Sequence, residues 1–332
     1  MKKCFLTAML LAYSYSFLAH AKEYTFAVVP KFYGTFFDQS KYGCVDAAKQ
    51  LPSVKCIYRG PEKANVRVQD KIVKQLISEG VDGIAIAVTQ SAFLAENSVE
   101  LAKKAGIPIV TYDADFDAET LKKYQDLRSS YIGTNNFELG KALGEQLKRL
   151  RPNGGTLIIQ SGRPDSPNLN LRIMGVRSVL SGKTYQNPPG EMLKDDNGWT
   201  EVRKPFYNFD QLDRALKQMD SMLKGKRIIA DSFVAVGGWP QNDEAAYRKM
   251  IEPYKDKVRT NEVAIVISDA SASQLAMLKD HLASANIGQN PYEMGKQAIF
   301  TLLKIVQKEH YQKVIYTPLK VCTPDNYQTC SR

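Results

Sequence analysis

The 332-residue sequence predicts an α/β protein of two similar lobes, each a parallel sheet covered on both faces by helices. Three observations carry this expectation. Short, almost continuous apolar runs alternate with helix-length amphipathic segments, the rhythm of βαβ units whose strands are buried on both faces. The rhythm halts after Tyr131-Ile132-Gly133 and then restarts. The length is too great for one ordinary domain and suits two, and 44% hydrophobic with 24% charged residues is a globular balance that excludes a disordered or fibrous chain.

The first strand is expected at 24–29 (YTFAVV), followed by a turn at Gly34 and a helix over about 37–51. A strand at 54–59 precedes an amphipathic helix at 66–79, which Gly80 stops because glycine accepts the left-handed conformation of a helix end. The run GIAIAV at 83–88 reads as a buried strand, 91–105 as a helix ended by Gly106, and 108–112 as a strand. After Gly133 come a helix at 137–149, a strand at 156–160 and a helix at 170–180. A long connection through Pro188-Pro189-Gly190 leads to a helix at 209–223, a strand within 228–236 and a helix at 243–250. Strand 263–268 (VAIVIS), helix 274–281, a short strand at 285–288, a long helix at 292–308 and an extended segment at 314–320 complete the chain. No low-complexity tract separates the halves, so the crossings between lobes are expected to be short and ordered.

The N-terminus reads as an export label. Met1-Lys2-Lys3 is positive, Cys4 to Leu18 is apolar, and Ala19-His20-Ala21 supplies the small-x-small pattern, so residues 1–21 are expected to be a signal peptide removed after Ala21. The apolar run falls short of the roughly 20 residues a spanning helix needs. A mean hydropathy of −0.32 argues against a polytopic membrane protein. Cys4 lies in the wrong context for a lipid anchor, so the product is expected to be soluble. Cleavage leaves Cys44, Cys56, Cys322 and Cys330, an even set in an exported chain. Of the three connectivities, spacing favours Cys44 with Cys56 and Cys322 with Cys330, each loop worth about 2–3 kcal/mol of chain entropy. Zinc is the rival reading, but only His281 and His310 remain in the mature chain and the spacing is not that of a metal site. The net charge of +10 becomes +8 without Lys2 and Lys3, and its cations are scattered along helical faces. Solvated surfaces, not a nucleic-acid patch, account for them.

Enzymatic signatures are absent from the pattern. No G-x-G-x-x-G follows a strand, and Gly182-Lys183-Thr184 lacks the earlier glycine of a phosphate loop, its place being taken by Arg177. There is no G-x-S-x-G and no H-E-x-x-H. Neither a cofactor nor a metal is implied. What remains is a set of polar and aromatic residues after successive strands, where open α/β sheets bind ligands. They are the stretch Lys31 to Phe37, Asp113-Ala114-Asp115, Ser161-Gly162-Arg163 with Arg172 in the next helix, Gly237-Gly238-Trp239, Asp269 and Gln289. Aromatic planes such as Phe37 and Trp239 suit the apolar faces of a sugar ring, while carboxylates, amides and a guanidinium suit its hydroxyls. Each residue alone reads as readily as core or helix cap. Together they point to binding a polyol without chemistry.

Four stretches carry a resemblance: FAVVPKFYGTFFDQSKYGCVDAAKQL, VDGIAIAVTQSAFLAENSVELAKKAGIPIVTYDAD, YIGTNNFELGKALGEQL and SDASASQLAMLKDHLASANIGQNPYEMGKQAI. In this order and spacing the chain, from Tyr24 to about Lys320, resembles the type I periplasmic binding proteins of the ribose/galactose kind, which feed sugar ABC transporters. The resemblance implies two Rossmann-like doubly wound lobes joined by a three-crossing hinge, with residues 22–133 plus 290–315 in one and 134–289 plus 316–332 in the other. It implies a monomer that captures a sugar or polyol in the periplasm for a membrane ABC permease. It assigns ring stacking to Phe36 and Phe37, hydroxyl recognition to Asp113, Arg172, Asp269 and Gln289, and a further aromatic position to Phe209. Departures are the Gly34 region, where an asparagine usually precedes the paired aromatics, Ala114 with Asp115 beyond it, where an arginine often follows the carboxylate, and Gly237-Gly238-Trp239, where an amide often sits. They suggest a larger sugar, a furanose or a cyclic polyol rather than ribose. Within the same fold, a sensory module for a histidine kinase or chemoreceptor is the alternative, and a carbohydrate-active enzyme is a third reading. Sugar-responsive repressors of this fold carry a helix-turn-helix where this chain has its export label.

Overall fold

The computed structural model describes residues 22–225 and 229–330. The predicted signal peptide at 1–21 lies outside them. The first lobe begins with β1 (Tyr24–Val29), α1 (Thr35–Gln50), β2 (Val54–Tyr58), α2 (Val66–Ser78) and β3 (Gly83–Ile86). It continues through α3 (Ser91–Leu94), a π turn (Ala95–Val99) that runs into α4 (Glu100–Lys104), then β4 (Ile109–Tyr112), α5 (Ala118–Lys123) and β5 (Ser130–Gly133). The second lobe opens with α6 (Asn136–Leu150), β6 (Gly155–Ser161) and α7 (Pro167–Ser181). Three short strands follow, β7 (Lys194–Asp196), β8 (Trp199–Glu201) and β9 (Phe206–Tyr207), then α8 (Leu212–Leu223) and β10 (Ser232–Ala235). The helices α9 (Glu244–Ile251) and α10 (Lys255–Arg259), β11 (Ala264–Ser268), α11 (Ala272–Lys279) and β12 (Ala285–Gly288) complete its core. The chain then returns through α12 (Pro291–Val306) and β13 (Val314–Tyr316) before ending with β14 (Lys320–Cys322).

The two sheets share one topology. The first runs β13-β5-β4-β3-β1-β2 and the second β14-β12-β11-β10-β6-β8-β7. Each core sheet therefore has the doubly wound 2-1-3-4-5 order, with its switch point between β1 and β3 in one lobe and between β6 and β10 in the other. Pairing is parallel apart from the hairpin of β7 with β8 and the edge strand β14, which runs antiparallel to β12. The predicted two-lobed α/β architecture is the one observed. Differences fall in the connections. The long segment after α7 carries β7, β8 and β9, and it is held by a buried ion pair in which Arg177 donates to both oxygens of Glu201 at 2.7 and 2.8 Å and to the Gly190 carbonyl.

The chain crosses between lobes three times, after β5, after β12 and after β13. The helices α6 and α12 start directly at the first two crossings, each fixed by an asparagine cap: Asn135 accepts from the Glu138 N–H and Asn290 from the Glu293 N–H. Such caps leave the crossings only a few residues long. The crossings are also tied to each other. The Thr317 N–H donates to the Gly133 carbonyl at 2.8 Å, and the Thr134 hydroxyl to Gln289 Oε1 at 2.7 Å.

Each sheet is packed on both faces. In the first lobe α1 and α12 cover one face; in the second, α6 and α7 do so. Both helix pairs touch backbone to backbone through glycines. A Cβ on Gly140 would lie 2.1 Å from the Arg172 carbonyl oxygen, and one on Gly43 would lie 1.9 Å from that of Tyr292. No side chain fits at either point. Disulfides join Cys44 to Cys56, tying α1 to β2, and Cys322 to Cys330, tying β14 to the C-terminal 3₁₀ turn Tyr327–Cys330. Among the described residues no helix is long and apolar enough to cross a membrane, and no cluster of His, Cys, Asp or Glu is placed to hold a metal.

Candidate functional site

The carboxyl ends of the two sheets face each other across a cleft lined from both lobes. Lys31, Phe32, Phe36 and Phe37 come from the turn after β1 and the start of α1, Thr89 follows β3 and Asp113 follows β4. The second lobe contributes residues after β6, β10, β11 and β12, at the equivalent places in its own sheet. This is where a doubly wound sheet leaves a crevice, since connections on either side of the switch point go to opposite faces.

Two aspartates occupy matching positions. Asp113 ends β4 with φ +58°, and its N–H donates to the Ile132 carbonyl of β5. Asp269 ends β11 with φ +74°, and its N–H donates to the Ile287 carbonyl of β12. The left-handed conformation turns each chain sharply out of its strand, and aspartate tolerates it better than bulkier residues. Asp269 accepts from Gln289 Nε2 at 2.7 Å and from the Gly238 N–H at 3.0 Å. Asp113 has Lys31 as its charged neighbour, at 3.9 Å.

Arg172 spans the floor. It is 3% exposed and donates through Nε to Asn136 Oδ1, through Nη1 to the Val236 carbonyl and through Nη2 to Gln289 Oε1, at 2.8–2.9 Å. Gln289 lies in the second crossing, so a single amide links the hinge, the guanidinium and the Asp269 carboxylate. Burial raises the pKa of both aspartates. For Asp113 the cations Lys31 and Arg172 oppose that rise while Asp210 adds to it; for Asp269, Arg172 and the Gln289 hydrogen bond oppose it while Asp113 adds.

The aromatic walls differ between lobes. Phe37 is 4% exposed and meets Phe32, Phe36 and Tyr112 edge to face, so it belongs to the core and the cleft at once. Trp239 opposes them from the second lobe, its Nε1–H donating to Asp210 Oδ1 at 3.0 Å. The indole lies directly on Gly237, where a Cβ would come within 2.5 Å of the ring.

Seven of the nine residues singled out from the sequence are brought together here: Phe36, Phe37, Asp113, Arg172, Trp239, Asp269 and Gln289. Asp115 and Phe209 are not. Asp115 is held by Arg128 in a bidentate pair and accepts from the Thr111 hydroxyl, which anchors the loop after β4. Phe209 is 40% exposed, with the Arg163 and Arg214 guanidinium groups over its ring at 5.9 and 4.9 Å. Phe209 and Asp210 both have positive φ, and the cleft receives the carboxylate that follows the ring.

Five polar cleft residues were not singled out as candidates, Ser166 at the start of α7 among them. Asp210 holds the tryptophan, and Asn242 supplies an amide from the end of the short 3₁₀ turn Trp239–Gln241, three residues beyond the indole. Asn168 Oδ1 and Thr89 Oγ1 are buried cleft atoms without a protein partner. The one cue in the sequence was the Asn-Asp pair at 242–243, readable as the start of a helix and indeed followed by α9.

The pKa directions yield an expected result for the unliganded protein. A carboxylate whose folded pKa is raised holds its proton more tightly folded than unfolded, so stability falls as pH rises from the unfolded value of 3.8 through the folded one. Asp113→Asn removes that penalty. The variant is expected to melt above wild type at pH 7, with the gap closing toward pH 4. Thermal unfolding across that range checks it; a midpoint at pH 7 equal to or below wild type would show that the Lys31 pairing outweighs burial.

The periplasmic binding protein domain family matches residues 26–310 of the chain. A solved ABC transporter solute-binding protein from Burkholderia graminis C4D1M, in complex with D-arabinose, is 27% identical with a TM-score of 0.79, over 94% of this chain and 99% of that one. The ribose import binding protein RbsB of Bacillus subtilis is 24% identical over 303 residues, 91% of this chain and 88% of that protein. The xylose/arabinose-binding protein XylF of Sulfolobus acidocaldarius is 29% identical over 153 residues, which is 44% of this chain and 37% of that protein.

Proposed function

The chain belongs to the periplasmic binding protein domain family, and from that premise we propose that it captures a sugar or cyclic polyol between its lobes and delivers it to a membrane ABC permease. The observation that carries the reading is the makeup of the cleft. Phenylalanine rings on one side and an indole on the other can cover the two faces of a sugar ring, while Asp113, Asp269, Asn242 and Arg172 address its hydroxyls. The sugar-binding relatives support it, and no step of bond making or breaking is part of it. Export through the segment 1–21, leaving a soluble periplasmic monomer that begins at Lys22, belongs to the same proposal.

The lobes 22–133 plus 290–315 and 134–289 plus 316–332 act as jaws that bend at the crossings near Gly133, Gln289 and Tyr316. A ligand that touches both jaws only when they are shut binds the shut form better, and that difference in affinity shifts the population toward it. Gln289 couples ligand to hinge, because it is both a crossing residue and the partner of Asp269 and Arg172.

A thermal-shift screen of pentoses, hexoses, furanose sugars and inositols tests the reading. At a hundredfold excess over Kd, a specific ligand adds about 2.7 kcal/mol, a rise of about 5 °C or more. The same ligand is expected to alter tryptophan emission through Trp239, since Trp199 is buried in the core at 1% exposed. Failure of every sugar and polyol to raise the midpoint, or recovery of the bound compound chemically altered, would overturn it.

A further inference from the structure

The cleft is not the only space between the lobes. A groove of about 800 Å³, against about 80 Å³ for the cleft itself, opens beyond Asp269. Phe36, Asn242, Asp269 and Gln289 line both, so the two adjoin. From the reading above, we infer that the groove is a second subsite and that the captured sugar is glycosidically extended, bearing a ring-shaped or apolar substituent that lies there.

The chemistry of the walls fits such a substituent. Phe36, Ala270, Ala272, Leu275, Pro291 and Tyr292 present carbon surface from the starts of α1, α11 and α12. Three helix N-termini would ordinarily favour an anion, yet two already carry a side-chain cap. The Ser271 side chain accepts from the Gln274 N–H in a capping box, and Asn290 accepts from the Glu293 N–H. Glu293 and Lys320 both line the groove, so its two charges offset each other. A neutral group is therefore favoured over a phosphate or carboxylate.

The groove is also built in advance of any ligand. Its far wall is the C-terminal segment from β14, where the Cys322–Cys330 disulfide closes the loop and Lys320 Nζ donates to the Cys330 carbonyl at 3.5 Å. A wall pinned by a covalent link, a capping box and an asparagine cap loses little freedom on binding, so apolar contact made there adds to affinity with small ordering cost. This gives the second disulfide a place in recognition: it holds the surface against which the substituent packs.

The test is calorimetry with D-ribose, D-xylose, L-arabinose and D-galactose, each as the free sugar and as its phenyl glycoside. For a sugar that binds, its phenyl glycoside is expected to bind at least tenfold more tightly. Ala272→Trp, which fills the groove from the exposed first position of α11, is expected to remove that gain while leaving the free sugar within threefold. Ser273→Trp serves as a second filling variant, and the unliganded melting midpoint of each reports its folding. A free sugar that binds while its phenyl glycoside does not would overturn the second subsite and leave the capture of sugar standing, as would equal losses for both ligands in the filled variants. Absence of binding by all eight compounds would count against both.

Discussion

Arg172→Met is expected to weaken ligand binding by at least a hundredfold and to lower the unfolding free energy by about 3 kcal/mol. Methionine keeps an unbranched apolar stem and loses the five donors, leaving Asn136 Oδ1 and the Val236 carbonyl without that partner and Gln289 Oε1 with the Thr134 hydroxyl as its donor. Asn136 and Gln289 sit in or beside the crossings, so the loss is felt at the hinge as well as at the ligand. There is an electrostatic consequence too. The Arg172 charge holds down the pKa of both Asp113 and Asp269 against the pull of burial. Without it both carboxyls move further up, and each proton gained removes an acceptor for a sugar hydroxyl. Affinity in the variant should therefore improve as pH is raised over a range where wild type is flat. Calorimetry at two pH values measures both effects. An affinity within fivefold of wild type would mean that Arg172 is scaffolding and does not shape the ligand's surroundings.

The sequence announced the lobes because buried parallel strands are written in continuous apolar letters, as in GIAIAV and VAIVIS, and because each half repeats the same alternation. It announced most of the cleft because a doubly wound sheet places binding residues directly after its strands. What it could not announce is which of two neighbouring side chains turns inward. Asp113 and Asp115 stand two apart in one loop; a left-handed residue at 113 sends the first into the cleft and leaves the second for Arg128. Phe209 and Asp210 repeat the lesson in reverse. Two consecutive positive φ angles put the ring outside, beside two arginines, and bring the carboxylate to the indole. Asn242 is a different case. A 3₁₀ turn inserts Trp239 ahead of the amide, so the residue met first after β10 is aromatic while the amide still reaches the cleft. In each case the deciding quantity is a local backbone angle that composition and period do not encode.

The glycines that set the helix pairs offer a contrast between two chemically identical changes. Gly140→Ala in α6 drives a methyl toward the Arg172 carbonyl, and Gly43→Ala in α1 drives one toward the Tyr292 carbonyl. Backbone cannot rotate out of the way as a side chain can, so each pair of helices must part, at a cost of about 2–3 kcal/mol or more. Both variants are expected to melt well below wild type. Their effects on binding should differ. The first moves α7 at the very residue whose guanidinium spans the cleft floor, and a shift of even a fraction of an ångström breaks three hydrogen bonds of 2.8–2.9 Å at once. The second moves α12 at Tyr292, three residues past Gln289, so it reaches Arg172 only through one of those three hydrogen bonds. Gly140→Ala should therefore lose tenfold or more in affinity for a free sugar at temperatures where it remains folded, while Gly43→Ala stays within threefold. Equal affinities in the two variants would mean that the α6–α7 contact supports the lobe without aiming Arg172, and the coupling of helix packing to recognition would have to be sought elsewhere in the hinge.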